Sequence, residues 1–260
     1  RAGLTLGFVP TMGALHDGHR SLVRRSRREN DLTLVSIFVN PAQFDDPTDL
    51  ARYPRTLDDD LAALRAENAD FLLLPHAEDL YADGYRYRVT EIERSTELEG
   101  AHRPGHFDGV LTVVLKLLQI AQPERAYFGE KDWQQLTLVR GMAKALFLPT
   151  LIVGCTTIRE ADGLALSSRN RHLPPADRSR APRFHHALVS AATADDAARE
   201  LRAKAAFEAQ QDGRPLGRMG AVTVNRLGIG LSVAPAQRSV AAAAIQRVAI
   251  EREGRLIQPI

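Results

Sequence analysis

Residues 4–29 read LTLGFVPTMGALHDGHRSLVRRSRRE, and this stretch decides the fold class. Its first part, residues 4–9, is short and largely apolar, which predicts a buried β-strand. Its last part, residues 19–29, mixes apolar and charged side chains without a helix breaker, which predicts an amphipathic helix. A buried strand that passes through a short glycine-containing loop into a helix is the opening of a βαβ unit.

The same alternation of strand and helix continues along the chain. Further strands are predicted at residues 32–39, 71–74, 126–128 and 151–157, and further helices at residues 57–67, 109–122 and 133–146, with Thr56 as a helix cap. This order predicts an α/β fold with a Rossmann-like parallel sheet covered by helices on both faces. In such a sheet, ligands bind where the strands end, so we expect functional residues in the loops that follow the strands.

The sequence changes character near Ile158, which predicts a boundary between two domains. Residues 159–171 are polar, Pro174 and Pro175 interrupt the chain, and residues 187–210 are alanine-rich with a helical pattern. We therefore predict a larger domain over residues 1–157 and a smaller C-terminal α+β domain over residues 158–260.

Composition excludes several classes of protein. The 260 residues include 34 basic and 32 acidic side chains, and a net charge of +2 does not indicate a nucleic-acid partner. No run of apolar residues is long enough to span a membrane, and no signal-peptide pattern opens the sequence. The single cysteine, Cys155, lies in a predicted buried strand, so we expect a cytoplasmic protein without disulfides.

The loop after the first predicted strand has the composition of a phosphate-binding site. Gly13 and Gly18 let the backbone approach an anion, and the following helix offers unpaired N–H donors. His16 and His19 can donate to charge that develops on phosphate oxygens. Two alternatives stay open: an exposed turn with solvated histidines, and a metal site, for which a third ligand is missing nearby.

The loop after the second predicted strand carries two amides, Asn40 and Gln43. An amide donates and accepts hydrogen bonds at once, which suits recognition of a small hydroxy acid. Ordinary turn chemistry explains the same residues equally well.

The loop after the fourth predicted strand reads Gly129-Glu130-Lys131-Asp132 and leads into a helix that carries Gln134 and Gln135. Lys131 is placed like a phosphate-binding lysine. The alternative is a helix capped by Asp132 with solvated neighbours.

A fourth candidate, Ser167-Ser168-Arg169, lies in the polar segment after residue 158. Two hydroxyls and a guanidinium suit a polyphosphate, although an exposed turn is an equal alternative.

Two charged clusters have simpler explanations than a binding site. The arginines at positions 24, 25, 27 and 28 could touch RNA, but on an amphipathic helix they are expected to form a solvated face. Asp58, Asp59 and Asp60 open a predicted helix, where acidic side chains are expected from the helix dipole alone.

Taken together, the four loops resemble those of the pantoate–β-alanine ligase family, especially its actinobacterial members. The resemblance runs from about Gly7 to Arg171. It includes Tyr53-Pro-Arg-Thr, Leu98-Glu-Gly-Ala-His-Arg-Pro-Gly-His-Phe, Gly129-Glu-Lys-Asp and Arg159-Glu-Ala-Asp-Gly-Leu-Ala-Leu-Ser-Ser-Arg-Asn-Arg. The His16-Asp-Gly-His19 element alone is less specific, because nucleotidylyltransferases and class I aminoacyl-tRNA synthetases share it.

The resemblance implies a fold of the nucleotidylyltransferase and class I synthetase type and a two-step reaction. ATP and pantoate would give pantoyl adenylate and pyrophosphate, and β-alanine would then displace AMP to form pantothenate. It also implies Mg²⁺ bridging the ATP phosphates, with no protein ligands assigned to the ion, and a homodimer. The alternatives are a nucleotidylyltransferase that acts on another small acid or phosphate, and a non-catalytic RNA-binding module.

The resemblance also implies roles for individual residues. His19 would be the proton donor, and His16 and Lys131 would assist it. Substrate contacts would come from Asn40, Gln43, Arg103 and Gln135. The ATP site would comprise Met12, Gly13, His16, Gly18, His19, Gly129, Glu130, Lys131, Asp132, Ile158, Leu166, Ser167, Ser168 and Arg169.

Overall fold

A computed structural model describes residues 3–183, 185, 186 and 189, together with the backbone of residues 257–259. Its centre is a six-stranded sheet with the order β5-β4-β1-β2-β3-β6, in which only β6 is antiparallel to its neighbour. The strands are β1 (Leu6–Thr11), β2 (Leu32–Ile37), β3 (Phe71–Leu73), β4 (Arg125–Gly129), β5 (Leu151–Cys155) and β6 (Ile257–Pro259). The predicted α/β class with a parallel sheet is confirmed.

Helices and short 3₁₀ turns connect the strands. The α-helices of the described chain are α1 (Asp17–Glu29), α2 (Pro47–Arg52), α3 (Leu57–Ala66), α4 (Ala77–Leu80), α5 (Leu98–His102), α6 (His106–Ala121), α7 (Trp133–Ala145) and α8 (Pro175–Arg180). Within the part of the chain that the structure describes, none of these helices has the length and apolar character needed to cross a bilayer.

The strand order creates a switch point between β1 and β4. The chain adds β2 and β3 on one side of β1 and then crosses over to place β4 on the other side. Helices that connect the two halves leave the sheet in opposite directions, so a crevice opens at the carboxyl ends of β1 and β4. The two loops that border this crevice begin after Thr11 and Gly129.

The core lies on both faces of the sheet because successive strand residues point to opposite sides. Phe8 and Leu34 pack with α6 and α7, whereas Val9 and Val35 pack with α1 and α3. The apolar stretch of α6 is buried along most of its length, as is expected for a helix that covers a parallel sheet.

One element boundary differs from the sequence prediction near the first loop. Strand β1 ends at Thr11, two residues beyond the predicted end, and includes Pro10. The carbonyl of Leu6 accepts from the backbone N–H of Glu124, so the backbone N–H and C=O groups of the even-numbered β1 residues point toward β4. The pairing of β1 with β4 ends before Pro10. The missing N–H of Pro10 therefore costs no ladder bond.

The described chain falls into two compact units. The first contains Arg1–Thr157 and the C-terminal strand β6, and the second begins at Ile158. Because β6 pairs with β3, the end of the chain departs from the predicted domain over residues 158–260. The helical pattern predicted at residues 187–210 lies outside the described residues apart from Val189.

Candidate active site

The loop between β1 and α1 is held in a tight, unusual backbone conformation. Gly13 and Ala14 both have left-handed φ angles, +79° and +50°, so the chain turns sharply directly after the strand. The Thr11 hydroxyl accepts from the backbone N–H of Gly13 at 3.1 Å and donates to the carbonyl of Ser36 at 2.7 Å. The turn places Met12, which is partly buried, and Gly13 at the edge of the crevice.

His16 and His19 are joined in a reciprocal cap at the start of α1. His16 Nδ1 accepts from the backbone N–H of Gly18 at 3.1 Å, and His19 Nδ1 accepts from the backbone N–H of His16 at 3.4 Å. This cap is why α1 begins at Asp17 and not at the predicted residue 19. Since both Nδ1 atoms act as acceptors, a neutral ring carries its proton on Nε2 and can donate there.

The surroundings of His19 favour its neutral form. Burial, the neighbouring ring of His16 and the positive charge of Lys131 lower the pKa of His19 to about 3, against a small opposing effect of Asp132. The two rings lie with centroids 4.1 Å apart. His19 is therefore an uncharged hydrogen-bond donor near neutral pH.

The β4–α7 loop brings a cation to the same histidine. Glu130–Asp132 form a 3₁₀ turn that starts at Gly129 and leads into α7. Lys131 Nζ pairs with Asp132 Oδ1 at 2.8 Å, and both side chains are exposed at the surface. Asp132 occupies the predicted cap position of α7, but its side chain makes no capping bond there.

Asn40, a predicted substrate contact, is bonded within the protein. Its side chain is buried and donates to Gln43 Oε1 at 3.0 Å and to the carbonyl of Gly109 at 3.1 Å. Its oxygen accepts from the backbone N–H of Ala42 and from the Tyr81 hydroxyl. These bonds use the two donors and the oxygen of the amide, and they hold the loop that carries Gln43.

The amide of Gln43 is bonded to Asn40 through its oxygen. Asn40 Nδ2 donates to Gln43 Oε1 at 3.0 Å, so the Nε2 group of Gln43 takes no part in this bond. Two N–H donors suit a carboxylate or hydroxyl oxygen.

Arg103, a second predicted substrate contact, is also paired within the protein. It pairs with Glu99 at 2.8 Å and Asp45 at 3.3 Å and donates to the carbonyl of Gln43 at 3.3 Å. His106 Nδ1 lies 2.8 Å from the same carbonyl. Since two carboxylates already balance the guanidinium, Arg103 fixes the backbone of Gln43.

The two glutamines of α7 have separate roles. Gln134 is buried, accepts from the backbone N–H of Glu99, and donates to the carbonyls of Arg94 and Glu97. Gln135 is partly exposed one position further along the helix. Sequence spacing alone could not decide between the two amides.

The fourth loop belongs to the second unit and is described by itself. The exposed Ile158 accepts a backbone bond from Leu166, and Arg159 bridges to Ala165, which makes a narrow hairpin. Ser167 caps a 3₁₀ turn over Ser168–His172 by accepting from the N–H of Arg169 at 3.3 Å. Ser168 is buried.

Asp60 is a buried carboxylate, bonded to the histidine loop, that the sequence did not single out. It lies in the first turn of α3, yet it is only 2% exposed and its carboxylate accepts from the backbone of the β1–α1 loop. Its burial beside two exposed aspartates, Asp58 and Asp59, leaves no trace in a single sequence.

Three arginines of α1 form ion pairs with carboxylates of the same chain. Arg24 binds Glu67 at 2.8 Å, Arg25 binds Glu29 at 2.9 Å, and Arg27 binds Asp70. These carboxylates reduce the positive field that an RNA-binding surface would need.

Known proteins match the chain over most of its length. A model of the Pantoate-beta-alanine ligase family matches residues 1–257. The pantothenate synthetase of Bdellovibrio bacteriovorus is 54% identical over 200 residues, which cover 77% of this chain and 80% of that protein.

Solved structures of proteins with these names also match the chain. A crystal structure of pantothenate synthetase from Thermus thermophilus superposes with a TM-score of 0.74 at 47% identity, covering 82% of this chain and 79% of that one. The Francisella tularensis pantoate-beta-alanine ligase, crystallised with beta-gamma ATP and beta-alanine, gives a TM-score of 0.68 at 47% identity and 70% coverage of both chains. With the shared fold and the paired histidines at its switch point, this chain belongs to the pantoate–β-alanine ligase family.

Proposed function

We propose that the crevice between β1 and β4 is where this pantoate–β-alanine ligase activates pantoate with ATP and then joins it to β-alanine. The first step is attack of a pantoate carboxylate oxygen on the α-phosphorus of ATP. The bond to the β-phosphate breaks, pyrophosphate leaves, and pantoyl adenylate remains.

The residues at the crevice suit the first step. Attack on the α-phosphorus places additional negative charge on the phosphate oxygens, and fixed donors stabilise it. The Nε2–H groups of His16 and His19 supply such donors, and Lys131 supplies a positive charge. The N-terminus of α1 adds backbone N–H groups and the positive end of its dipole.

In the second step the amine of β-alanine attacks the acyl carbon of the adenylate. The bond to the AMP oxygen breaks, the nitrogen loses a proton, and pantothenate and AMP are released. Gln43 and Gln135 are proposed to hold the pantoate portion throughout, and the bond from Asn40 to Oε1 of Gln43 leaves its Nε2 donors for the oxygens of pantoate.

The observation that carries the proposal is the meeting of two loops at the switch point. The charge of Lys131, in the loop after β4, lowers the pKa of His19, in the loop after β1. A cation beside a neutral imidazole donor at this position suits a reacting phosphate.

Magnesium is proposed to arrive with ATP. Mg²⁺ prefers oxygen ligands, so phosphate oxygens and water would hold the ion. Its chemistry there would be charge neutralisation on the phosphates.

Several wider features are also proposals. Ile158, Leu166, Ser167, Ser168 and Arg169 are proposed to contact the nucleotide from the smaller C-terminal domain, in keeping with the family resemblance. A homodimer and a cytoplasmic location are also proposed. Neither RNA binding nor adenylyl transfer without ligation is favoured as the function.

The proposal is tested by measuring AMP with ATP, pantoate and β-alanine together and with each omitted in turn. We expect AMP only when all three are present, and pyrophosphate when ATP and pantoate are present without β-alanine. AMP formation that does not depend on β-alanine would indicate a different reaction.

A further inference from the structure

The loop that carries the paired histidines is anchored by a side chain from another helix. Asp60, in the first turn of α3, accepts from the backbone N–H of Ala14 at 2.9 Å through Oδ2. Its other oxygen accepts from the backbone N–H of Leu15 at 2.7 Å. The Thr56 hydroxyl lies 3.4 Å from Oδ2.

The helix dipole does not explain this carboxylate. Asp58 and Asp59 share the same helical turn and are exposed, as acidic side chains at a helix start usually are. Asp60 is 2% exposed and directed at the neighbouring loop. Burying a carboxylate is costly unless it is hydrogen-bonded, and here both oxygens are bonded to the loop.

The loop needs such an anchor because of its backbone conformation. Ala14 has a left-handed φ of +50°, a conformation that residues with a Cβ rarely adopt. A Cβ at Gly13 would lie 2.9 Å from Asp60 Oδ2 and 3.0 Å from Ile37 Cγ2, so the loop backbone sits directly against the carboxylate. Leu15 directly precedes His16, the residue that begins the reciprocal cap.

We propose that Asp60 is a positioning residue for ATP. By holding Ala14 and Leu15, it fixes the loop before nucleotide binds and thereby sets where His16 and His19 present their donors. This inference rests on the proposed adenylation at this crevice. Because Gln43 is held by a separate set of bonds to Asn40 and Arg103, Asp60 should affect ATP and leave pantoate recognition intact.

The test compares Asp60→Asn with the matched variant Asp59→Asn on the same turn. An amide keeps the size of the side chain, but its NH₂ group meets one of the two loop N–H donors and cannot accept from it. We expect Asp60→Asn to lower kcat/KM for ATP by about tenfold to a hundredfold, since a small misplacement of positioned groups is costly. The KM for pantoate at saturating ATP should stay within about twofold, and Asp59→Asn should match the parent.

A second readout follows the loop itself, without any substrate. Amide hydrogen exchange of a peptide that contains Ala14 and Leu15 should speed up in Asp60→Asn and stay slow in Asp59→Asn. Exchange in the β2 and α6 peptides should not change. Gly13→Ala would add a methyl group that pushes the loop away from the Asp60 carboxylate. It should produce the same local increase in exchange, and it replaces Asp60→Asn as the test if that variant folds poorly.

The outcomes separate this inference from the proposed function. A parent enzyme with no pantoate-dependent AMP release would refute the proposed function. The exchange measurement would still show whether Asp60 holds Ala14 and Leu15. Parent-like exchange and parent-like kcat/KM for ATP in Asp60→Asn would overturn the positioning role. Equal losses for ATP and pantoate with faster exchange throughout the unit would also overturn it, because Asp60 would then be a general stability residue.

Discussion

His19 is a neutral ring held in the first turn of a helix, and this state decides what it can contribute. Its Nδ1 is occupied by the backbone N–H of His16, so Nε2–H is the atom that can donate to phosphate. The composition of the loop predicted a phosphate-binding role for this residue. The reciprocal cap and the lowered pKa depend on packing that a sequence does not reveal.

Replacing His19 tests the role of this donor. We expect His19→Ala to reduce pantoate-dependent pyrophosphate release by about 10²–10³-fold, as loss of one fixed donor does. Stability should fall by about 1 kcal/mol because the cap bond is lost. His19→Gln can keep that bond and should lose activity with less loss of stability.

The control for that prediction is His76→Ala. His76 is exposed at the start of α4. It should keep full activity. A His19→Ala enzyme within threefold of the parent would remove this ring from the mechanism.

The pKa of His19 gives a prediction about pH. The folded-state pKa is about 3, below the ordinary 6.5 of the unfolded chain, so the unfolded state binds more protons between these values. The contribution of His19 to stability is therefore fully present above pH 6.5 and is lost as pH falls toward 3.

Nitrogen-15 NMR of labelled histidines measures this directly. The His19 ring should stay neutral down to about pH 4, with its proton on Nε2. The parent should also lose more stability than His19→Gln between pH 6.5 and pH 4. A ring that becomes protonated near pH 6 would contradict the described surroundings of His19.

Gln43 should matter for pantoate and little for ATP. Removing an amide that binds a carboxylate costs about 1.5–3 kcal/mol, so Gln43→Ala should raise the KM for pantoate by about tenfold or more. The KM for ATP, measured at saturating pantoate, is the internal control. Equal increases in both constants would mean that Gln43 shapes the loop and does not bind the acid.

At the scale of elements, strand endings and helix beginnings build the site. The apolar runs predicted the strands because parallel strands are buried on both faces. The order of the strands could not be predicted, since the crossover from β3 to β4 involves no local sequence signal. Asn40 shows the same limit: its amide is recognisable, but its burial by Gly109 and Tyr81 comes from distant elements.

The turn between β4 and α7 is tested through Lys131. If Lys131 serves the pyrophosphate portion of the nucleotide, Lys131→Ala should weaken binding of ATP and of a non-hydrolysable ATP analogue far more than binding of AMP. AMP lacks the β- and γ-phosphates, so it gains little from that charge. Calorimetric titration of the three nucleotides decides the matter, and equal losses for all three would place Lys131 at the adenosine or in the scaffold.

At the scale of the whole molecule, the sequence predicted the α/β class. It did not predict that the C-terminal strand β6 joins β3 in the main sheet, since an antiparallel edge strand of three residues carries no distinctive pattern. Long-range pairing of this kind is decided by the remaining free edge of the sheet, which only the folded chain presents.

The central claim, activation of pantoate as its adenylate, is tested most directly with pantoate labelled by ¹⁸O in its carboxylate. Attack of that carboxylate on the α-phosphorus, followed by amine attack on the acyl carbon, transfers one labelled oxygen to AMP. Mass spectrometry of the products should therefore find one ¹⁸O in AMP and one in pantothenate. Label in inorganic phosphate or pyrophosphate, with none in AMP, would contradict the account.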